Sequence, residues 1–230
     1  MSNPIEAKAC FNKGIESLVQ KELKKAIQHF DQAIKLDNRY ALAYSNRGLA
    51  WQKQGDLERA LTDFEKAIKL NPKLADPYYY RGLVRKKKGD LDGALADYGR
   101  ALQLNPRMAE AFSSRGSIRK KQGDLSGALA DFDAALNSSP DYAEAFYNRG
   151  LARKAKGDRA GAVTDFAGAL QFRPDLAEAY ANRGLTLLEL NKDTEAQRDF
   201  DQYVRLKPTR WIKLQGIIEK TKRQRQQGKE

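Results

Sequence analysis

Apolar residues recur at helical spacing in two stripes that alternate along the chain. Within residues 41–74, Tyr44, Leu49 and Trp51 mark a first helix over about residues 41–54. A second stripe follows with spacings of three and four residues, the pattern of an amphipathic helix. Its members are Leu57, Ala60, Leu61, Phe64, Ala67 and Ile68. The pattern therefore predicts a pair of helices.

Turn residues separate the two predicted helices. Gly55 stands where the end of a helix favours a left-handed residue, and Asp56 can cap the next helix with its carboxylate. Asn71-Pro72 then ends the second helix, because proline lacks an N–H donor. The same Gly-Asp turn recurs at 89–90, 123–124 and 157–158. Asn191-Lys192 replaces it near the end of the chain, and Lys21-Glu22 departs from it.

This helix pair repeats with a fixed period. One glycine recurs every 34 residues, at Gly14, Gly48, Gly82, Gly116, Gly150 and Gly184. An alanine column and an aromatic column keep the same phase, and proline closes five of the units. A constant period of this size predicts stacked structural repeats, each burying its apolar face against its neighbours.

These columns resemble tetratricopeptide repeats over residues 7–210. The resemblance implies an all-α fold, a right-handed superhelical solenoid of six antiparallel helix pairs in which the first helices line a concave groove. It also implies a non-catalytic protein that binds partners there, usually peptides. The implied repeats are 7–40, 41–74, 75–108, 109–142, 143–176 and 177–210, after a lead-in of residues 1–6.

Residues 211–230 are predicted to form a capping helix and a basic tail. Trp211, Leu214, Ile217 and Ile218 share one helical face that can cover the last repeat, as the end of a solenoid requires. From Lys220 onward the chain is basic and polar, and we expect it to fray. At the other end, Phe11, Ile15 and Leu18 could form an apolar pocket or pack against residues 1–6 or another chain.

The repeated glycine and the residue before it have a predicted structural role. Glycine inside a helix costs about 1 kcal/mol against alanine, so Gly48 indicates a close approach of the second helix, with Ala60 facing it. The preceding basic residue has an aspartate in phase 16 residues later, which predicts an ion-pair ladder; the alternative is that the arginines hold an anionic ligand. The ladder comprises Arg47–Asp63, Arg81–Asp97, Arg115–Asp131, Arg149–Asp165 and Arg183–Asp199, whereas the first repeat has Lys13 and His29.

The resemblance implies that positions 5 and 6 of each repeat face the groove. An asparagine there offers both a donor and an acceptor to an extended peptide, or it only solvates the wall. The candidate peptide-binding residues are Asn12, Asn46, Tyr79, Tyr80, Tyr147, Asn148 and Asn182. Position 2 reads Leu42, Asp76, Glu110, Glu144 and Glu178, so we predict none of the family's basic clamps for a terminal carboxylate.

A basic groove wall is the visible source of the net charge of +12. It comprises Lys53, Lys86, Lys87, Lys120, Lys121 and Lys154, from runs such as "RKKKGD" at 85–90. These lysines could attract an acidic peptide or a phosphate backbone. They could equally do no more than offset helix dipoles. Nucleic acid is the weaker hypothesis, since no aromatic residue is interleaved with the lysines.

Other features narrow the function classes. One histidine and one cysteine provide no metal site and no paired nucleophile and base, so no cofactor is expected and the chain is predicted not to be an enzyme. No apolar run is long enough for a membrane span. No secretory signal is seen in the first residues, and the single Cys10 favours a reducing, cytoplasmic location.

The leading hypothesis is an adaptor that binds an extended, acidic peptide in its groove. Two alternatives stay open at this point: a basic solenoid that binds RNA or another polyanion, and a scaffold that is monomeric or weakly self-associates through its ends.

Overall fold

A computed structural model describes residues 3–227 of the chain. Within that range it contains thirteen α-helices, one short 3-10 turn at Pro208–Arg210 and no strand. The helices are α1 (Pro4–Val19), α2 (Leu23–Leu36), α3 (Ala41–Gln54), α4 (Leu57–Leu70), α5 (Ala75–Lys88), α6 (Leu91–Leu104), α7 (Ala109–Lys121), α8 (Leu125–Ser138), α9 (Ala143–Ala155), α10 (Arg159–Phe172), α11 (Ala177–Glu189), α12 (Asp193–Leu206) and α13 (Trp211–Gln227). The predicted all-α class is confirmed.

The chain divides into two compact units, the first ending at Ala111 and the second starting at Phe112. In the first unit α1 packs on α2, α3 on α4 and α5 on α6, while α2 and α4 also contact the helices that follow them. In the second unit α9 packs on α10 and α11 on α12. The core of each pair is made of the repeated small and aromatic residues, and Phe64, Phe132 and Phe166 are fully buried.

The turns inside the pairs have the geometry that their residues favour. Gly55, Gly89, Gly123 and Gly157 all have φ near +90°, which costs glycine little. The aspartate that follows caps the second helix: the Gly161 N–H donates to Asp158 at 2.8 Å. The two turns that lack the Gly-Asp sequence also have a left-handed residue at the glycine position, since Lys21 has φ +62° and Asn191 has φ +60°.

The first helix begins earlier than predicted. α1 starts at Pro4, inside the segment 1–6 that was predicted as a lead-in. Asn3 accepts a hydrogen bond from the Glu6 N–H at 3.3 Å, and proline fits the first turn because its missing N–H would have no partner there. A capped start with Pro4 thus extends the repeat by three residues.

The last helix covers the end of the second unit. Leu214 and Ile218 of α13 are buried in a cluster with residues of α11 and α12, whereas Ile217 is 44% exposed. The predicted fraying from Lys220 is wrong up to Gln227, because α13 stays helical and Arg225 pairs with Asp193 at 2.9 Å. Residues 228–230 of the predicted basic tail lie outside the described residues.

Candidate functional site

The repeated glycine permits contact with an aromatic ring of the second helix. A Cβ atom on Gly48 would lie 2.7 Å from Cε1 of Phe64 and 3.2 Å from the carbonyl oxygen of Ala60. Ala60 faces Gly48 as expected, through its backbone carbonyl oxygen, but the ring of Phe64 lies closer and fills most of the space. The same ring position meets Gly82, Gly116 and Gly150.

Next to each of these glycines, an arginine binds an aspartate of the paired helix. Arg47 Nε and Nη2 donate to the two carboxylate oxygens of Asp63 at 2.8 and 2.6 Å. Paired nitrogens and oxygens of this kind give the strongest charge-assisted geometry. The other four pairs of the predicted ladder have shortest distances of 2.6 to 2.7 Å, and all five aspartate side chains are at most 5% exposed. The donors that face the second helix are therefore occupied within the protein.

A second arginine joins three of these pairs, which the sequence analysis missed. Arg85 Nη1 donates to Asp97 at 2.9 Å, Arg119 to Asp131 at 2.9 Å, and Arg153 approaches Asp165 at 3.0 Å. The runs containing these arginines were interpreted only as a source of positive charge. A signal was present, because each arginine precedes its aspartate by 12 residues, with Trp51 and Leu187 replacing it in repeats two and six.

Two of the pairs also extend to the preceding repeat. Arg47 Nη1 donates to Asp31 and Arg149 Nη1 to Asp133, both at 2.6 Å. Burial lowers the pKa of Arg47, but the hydrogen bonds to Asp63 and Asp31 outweigh burial and raise it above its ordinary value. The first repeat lacks the pair, and there Nδ1 of His29 is buried without a hydrogen bond.

In the second unit, predicted groove residues from neighbouring first helices contact one another. Lys120 Nζ of α7 donates to Asn148 Oδ1 of α9 at 3.4 Å. Asn182 Nδ2 of α11 lies 3.1 Å from the Tyr147 hydroxyl and 2.8 Å from the Glu178 carbonyl oxygen. We call Lys120, Tyr147, Asn148 and Asn182 the polar network.

The lysines of the basic wall have different environments. Burial and the neighbouring charge of Lys121 lower the pKa of Lys120, whereas Lys154 pairs with Glu189 at 3.0 Å. Within residues 3–227, Lys53, Lys87 and Lys121 are exposed and form no ion pair, and Lys86 is half-buried. The positive charge left for a ligand is therefore smaller than the sequence suggested.

In the first unit, predicted residues line a cavity of about 520 Å³. Tyr79 and Tyr80 form part of its wall with ring centroids 5.3 Å apart, and Lys53 borders it. Asp76 and Glu110 also line it, although the sequence analysis had used them only to exclude a basic clamp. The cavity thus combines aromatic surface with charges of both signs.

The two remaining candidate asparagines, Asn46 and Asn12, lie in the first unit. Asn46 Nδ2 donates to the Leu42 carbonyl oxygen of its own helix at 2.9 Å. This bond leaves mainly its oxygen for a partner, because a polar side chain within a helix can reach the carbonyl four residues earlier. Asn12 lies on α1 and is exposed.

None of the helices within residues 3–227 is both long and apolar enough to cross a membrane. In the same range, no group of three or more histidine, cysteine, aspartate or glutamate residues is arranged to hold a metal ion.

Comparison with protein families agrees with the repeat pattern. Models described as "Tetratricopeptide repeat" match residues 41–74, 64–96 and 177–210, and one described as "TPR repeat" matches 19–55, 82–123 and 116–157. Together the matches span about three quarters of the chain. The chain belongs to the tetratricopeptide repeat family. A comparison with curated protein sequences found no significant match to this chain.

Solved structures share the tetratricopeptide fold at low sequence identity. Pseudomonas aeruginosa PilF is 15% identical with a TM-score of 0.84, covering 92% of this chain and 97% of PilF. PilW, a type IV pilus biogenesis factor, is 19% identical with a TM-score of 0.79, at 90% and 96% coverage. YrrB, described as a TPR protein with an unusual peptide-binding site, is 24% identical with a TM-score of 0.66, at 81% and 96% coverage. These similarities establish the fold of the repeats.

Proposed function

We propose that this protein is a non-enzymatic adaptor that binds an extended, acidic peptide segment on the exposed faces of its first helices. The observation that carries the proposal is the polar network of the second unit. Lys120, Tyr147, Asn148 and Asn182 come from three successive first helices and present amide, hydroxyl and ammonium groups together. An extended peptide has unpaired N–H and C=O groups. Because Asn182 Nδ2 and Asn148 Oδ1 already have partners within the protein, the Asn182 oxygen and the Asn148 amide nitrogen are the atoms that can bind it.

The charge at the network favours an acidic segment. Lys120 is half-buried beside Lys121, and neither lysine forms an ion pair with a carboxylate within residues 3–227. A glutamate or aspartate of a bound peptide would offset the repulsion between these two ammonium groups and recover part of the burial cost of Lys120. The exposed Lys53 and Lys87 would act in the same way in the first unit.

The family and its relatives support the wider assignment. Tetratricopeptide repeat proteins are generally scaffolds for protein–protein interaction, and YrrB is described as having a peptide-binding site. The predicted cytoplasmic location belongs to the same proposal. It rests on the single cysteine, since reduced thiols are typical of that compartment.

Fluorescence anisotropy on the full chain tests the proposal. Three series of labelled ten-residue peptides share one apolar background and differ in carrying glutamates, neutral residues or lysines. We expect the glutamate series to bind best, and Asn148→Ala with Asn182→Ala to weaken it about tenfold, the equivalent of one or two hydrogen bonds. Asn137→Ala, an exposed asparagine on the second helix α8, should leave binding unchanged.

Two other results would overturn the proposal. Equal affinity for the three series would remove the preference for acidic peptides. Failure of all peptides, with tight binding of single-stranded RNA that falls steeply with salt and is lost in Lys86→Glu with Lys120→Glu, would identify a polyanion-binding protein instead.

A further inference from the structure

The cavity of the first unit is lined by two exposed carboxylates and one amide. Asp76 and Glu110 line it from the starts of α5 and α7, and neither residue forms an ion pair within residues 3–227. Gln52 of α3 lines the same cavity, and its Oε1 atom is buried without any hydrogen bond. The two carboxylates are exposed and are therefore available to a donor group from a ligand.

The charge of Glu110 acts on Asp76, and both carboxylates act on Tyr80. Burial and the charge of Glu110 raise the pKa of Asp76. Burial and the charges of Asp76 and Glu110 likewise raise the pKa of Tyr80. A cation placed beside these two carboxylates would favour their ionised forms.

Stabilisation of the helix start does not account for these carboxylates. Acidic residues in a first turn complement the helix dipole, which lowers the pKa of a carboxylate. Asp76 shows the opposite direction. Glu144 occupies the same repeat position at the start of α9 and can complement the dipole of that helix. Asp76 and Glu110 differ from it because they also line a cavity with two tyrosines and with Gln52, whose Oε1 atom forms no hydrogen bond.

We infer that this cavity binds an arginine side chain of the partner peptide, an inference that rests on the proposed peptide-binding function. A guanidinium offers five N–H donors in a planar fork, enough for both carboxylates together. Its flat face can stack on Tyr79 or Tyr80. Leu83 and Met108 provide apolar surface for the methylene stem.

The inference makes the ligand a segment of mixed charge. Lys53 borders the same cavity as Asp76 and Glu110, so an arginine on the carboxylates and an acidic residue near the lysine can belong to one short peptide. A preference for acidic residues and a requirement for one arginine are then two properties of one recognition surface.

Paired peptides and variants of the full chain test the arginine site. A glutamate-containing ten-residue peptide is made with arginine walked through its positions, and each arginine peptide is matched with a citrulline peptide, which keeps the shape but lacks the charge. For the native chain we expect the best arginine peptide to bind about tenfold more tightly than its citrulline partner. Asp76→Asn with Glu110→Gln should bring that ratio close to one, and Glu144→Gln should leave it unchanged.

The outcomes separate the two proposals. If glutamate peptides bind but arginine and citrulline versions bind equally at every position, the arginine site is wrong and the adaptor function stands. If no peptide binds, both are wrong. If the ratio survives in the double variant while circular dichroism shows an unchanged fold, arginine is recognised elsewhere and the assignment to this cavity fails.

Discussion

The interior of each helix pair and the exposed faces of the first helices differ in how regularly their residues repeat and in how their charges are paired. In the interior, the glycine and the aromatic ring recur in all six repeats. The arginine–aspartate pair recurs in five of them, at 2.6 to 2.7 Å. On the exposed faces, the same repeat position carries Asn46, Tyr80 or Asn148. Charged residues such as Asp76 and Lys121 form no ion pair there within residues 3–227. Repetition therefore marks what the fold requires, and variation with unpaired charge marks where a ligand can be selected.

Removing a buried aspartate should be the most damaging test of the interior. Asp131→Asn leaves Arg115 and Arg119 without their shared carboxylate, whose side chain is only 3% exposed. We expect a loss of about 3 kcal/mol in the free energy of unfolding, measured by urea denaturation. Asp133→Asn removes a carboxylate that is 52% exposed and should cost less than about 1 kcal/mol. Similar losses for the two variants would contradict the distinction between interior and exposed charges.

The glycine contact gives a second, smaller test of the interior. Gly82→Ala places a Cβ atom 2.7 Å from the ring of Tyr98, so we expect a net loss of about 1–2 kcal/mol from overpacking. A Cβ atom on Gly99 of α6 would meet no atom within 4 Å, so Gly99→Ala should stabilise by about 1 kcal/mol through helix propensity. Thermal unfolding of both variants checks the opposite signs, and a stabilising Gly82→Ala would refute the contact.

The polar network should contribute little to stability although it contributes to binding. Tyr147→Phe removes the hydrogen bond to Asn182, and we expect a loss of less than about 1 kcal/mol in the free energy of unfolding. Affinity for glutamate peptides should nevertheless fall several-fold. Tyr44→Phe is the control, since the Tyr44 hydroxyl forms no hydrogen bond within residues 3–227. A stability loss as large as that of Asp131→Asn would assign the network to the interior.

The smallest expected effect is a gain in stability, produced by removing the charge of Asp76. Because the pKa of Asp76 is raised in the folded protein, its ionised form disfavours folding at neutral pH, and this penalty disappears as the pH falls below the unfolded value of about 3.9. Asp76→Asn should therefore slightly raise the melting temperature at pH 7, and the gain should fade on acidification. Asp92→Asn removes a similar exposed charge from the first turn of α6 and should give no gain. A gain for Asp76→Asn that is constant with pH would show that ionisation is not its cause.

Much of the interior could be predicted from the sequence, because it depends on local chemistry that repeats. Gly55 and Asp56 act through the backbone of their own turn, and the spacing of 16 residues from Arg47 to Asp63 recurs in five repeats. The second arginine that joins a pair, such as Arg119, was missed because it lies in a run of lysines that resembles a solvated helix end. The early start at Pro4 was missed because the repeat pattern assigns no residue there.

The exposed faces could be predicted only in part. The repeat position placed Lys120, Tyr147, Asn148 and Asn182 on neighbouring helices, but not their bonds with one another, which depend on side-chain rotamers. The donation from Asn46 to its own helix is equally invisible in a periodic pattern. The cavity with Asp76, Glu110 and the Gln52 oxygen depends on three helices at once, and no single repeat contains it.

The paired arginines change how the protein should respond to salt. Each guanidinium held by a buried aspartate is neutralised internally, so it has few condensed counterions to release when a polyanion approaches. The exponent that relates affinity to ionic strength counts only the charges that exchange solvent ions for phosphates. It should therefore reflect exposed lysines such as Lys87 and Lys121, and fall well short of what a formal charge of +12 would suggest.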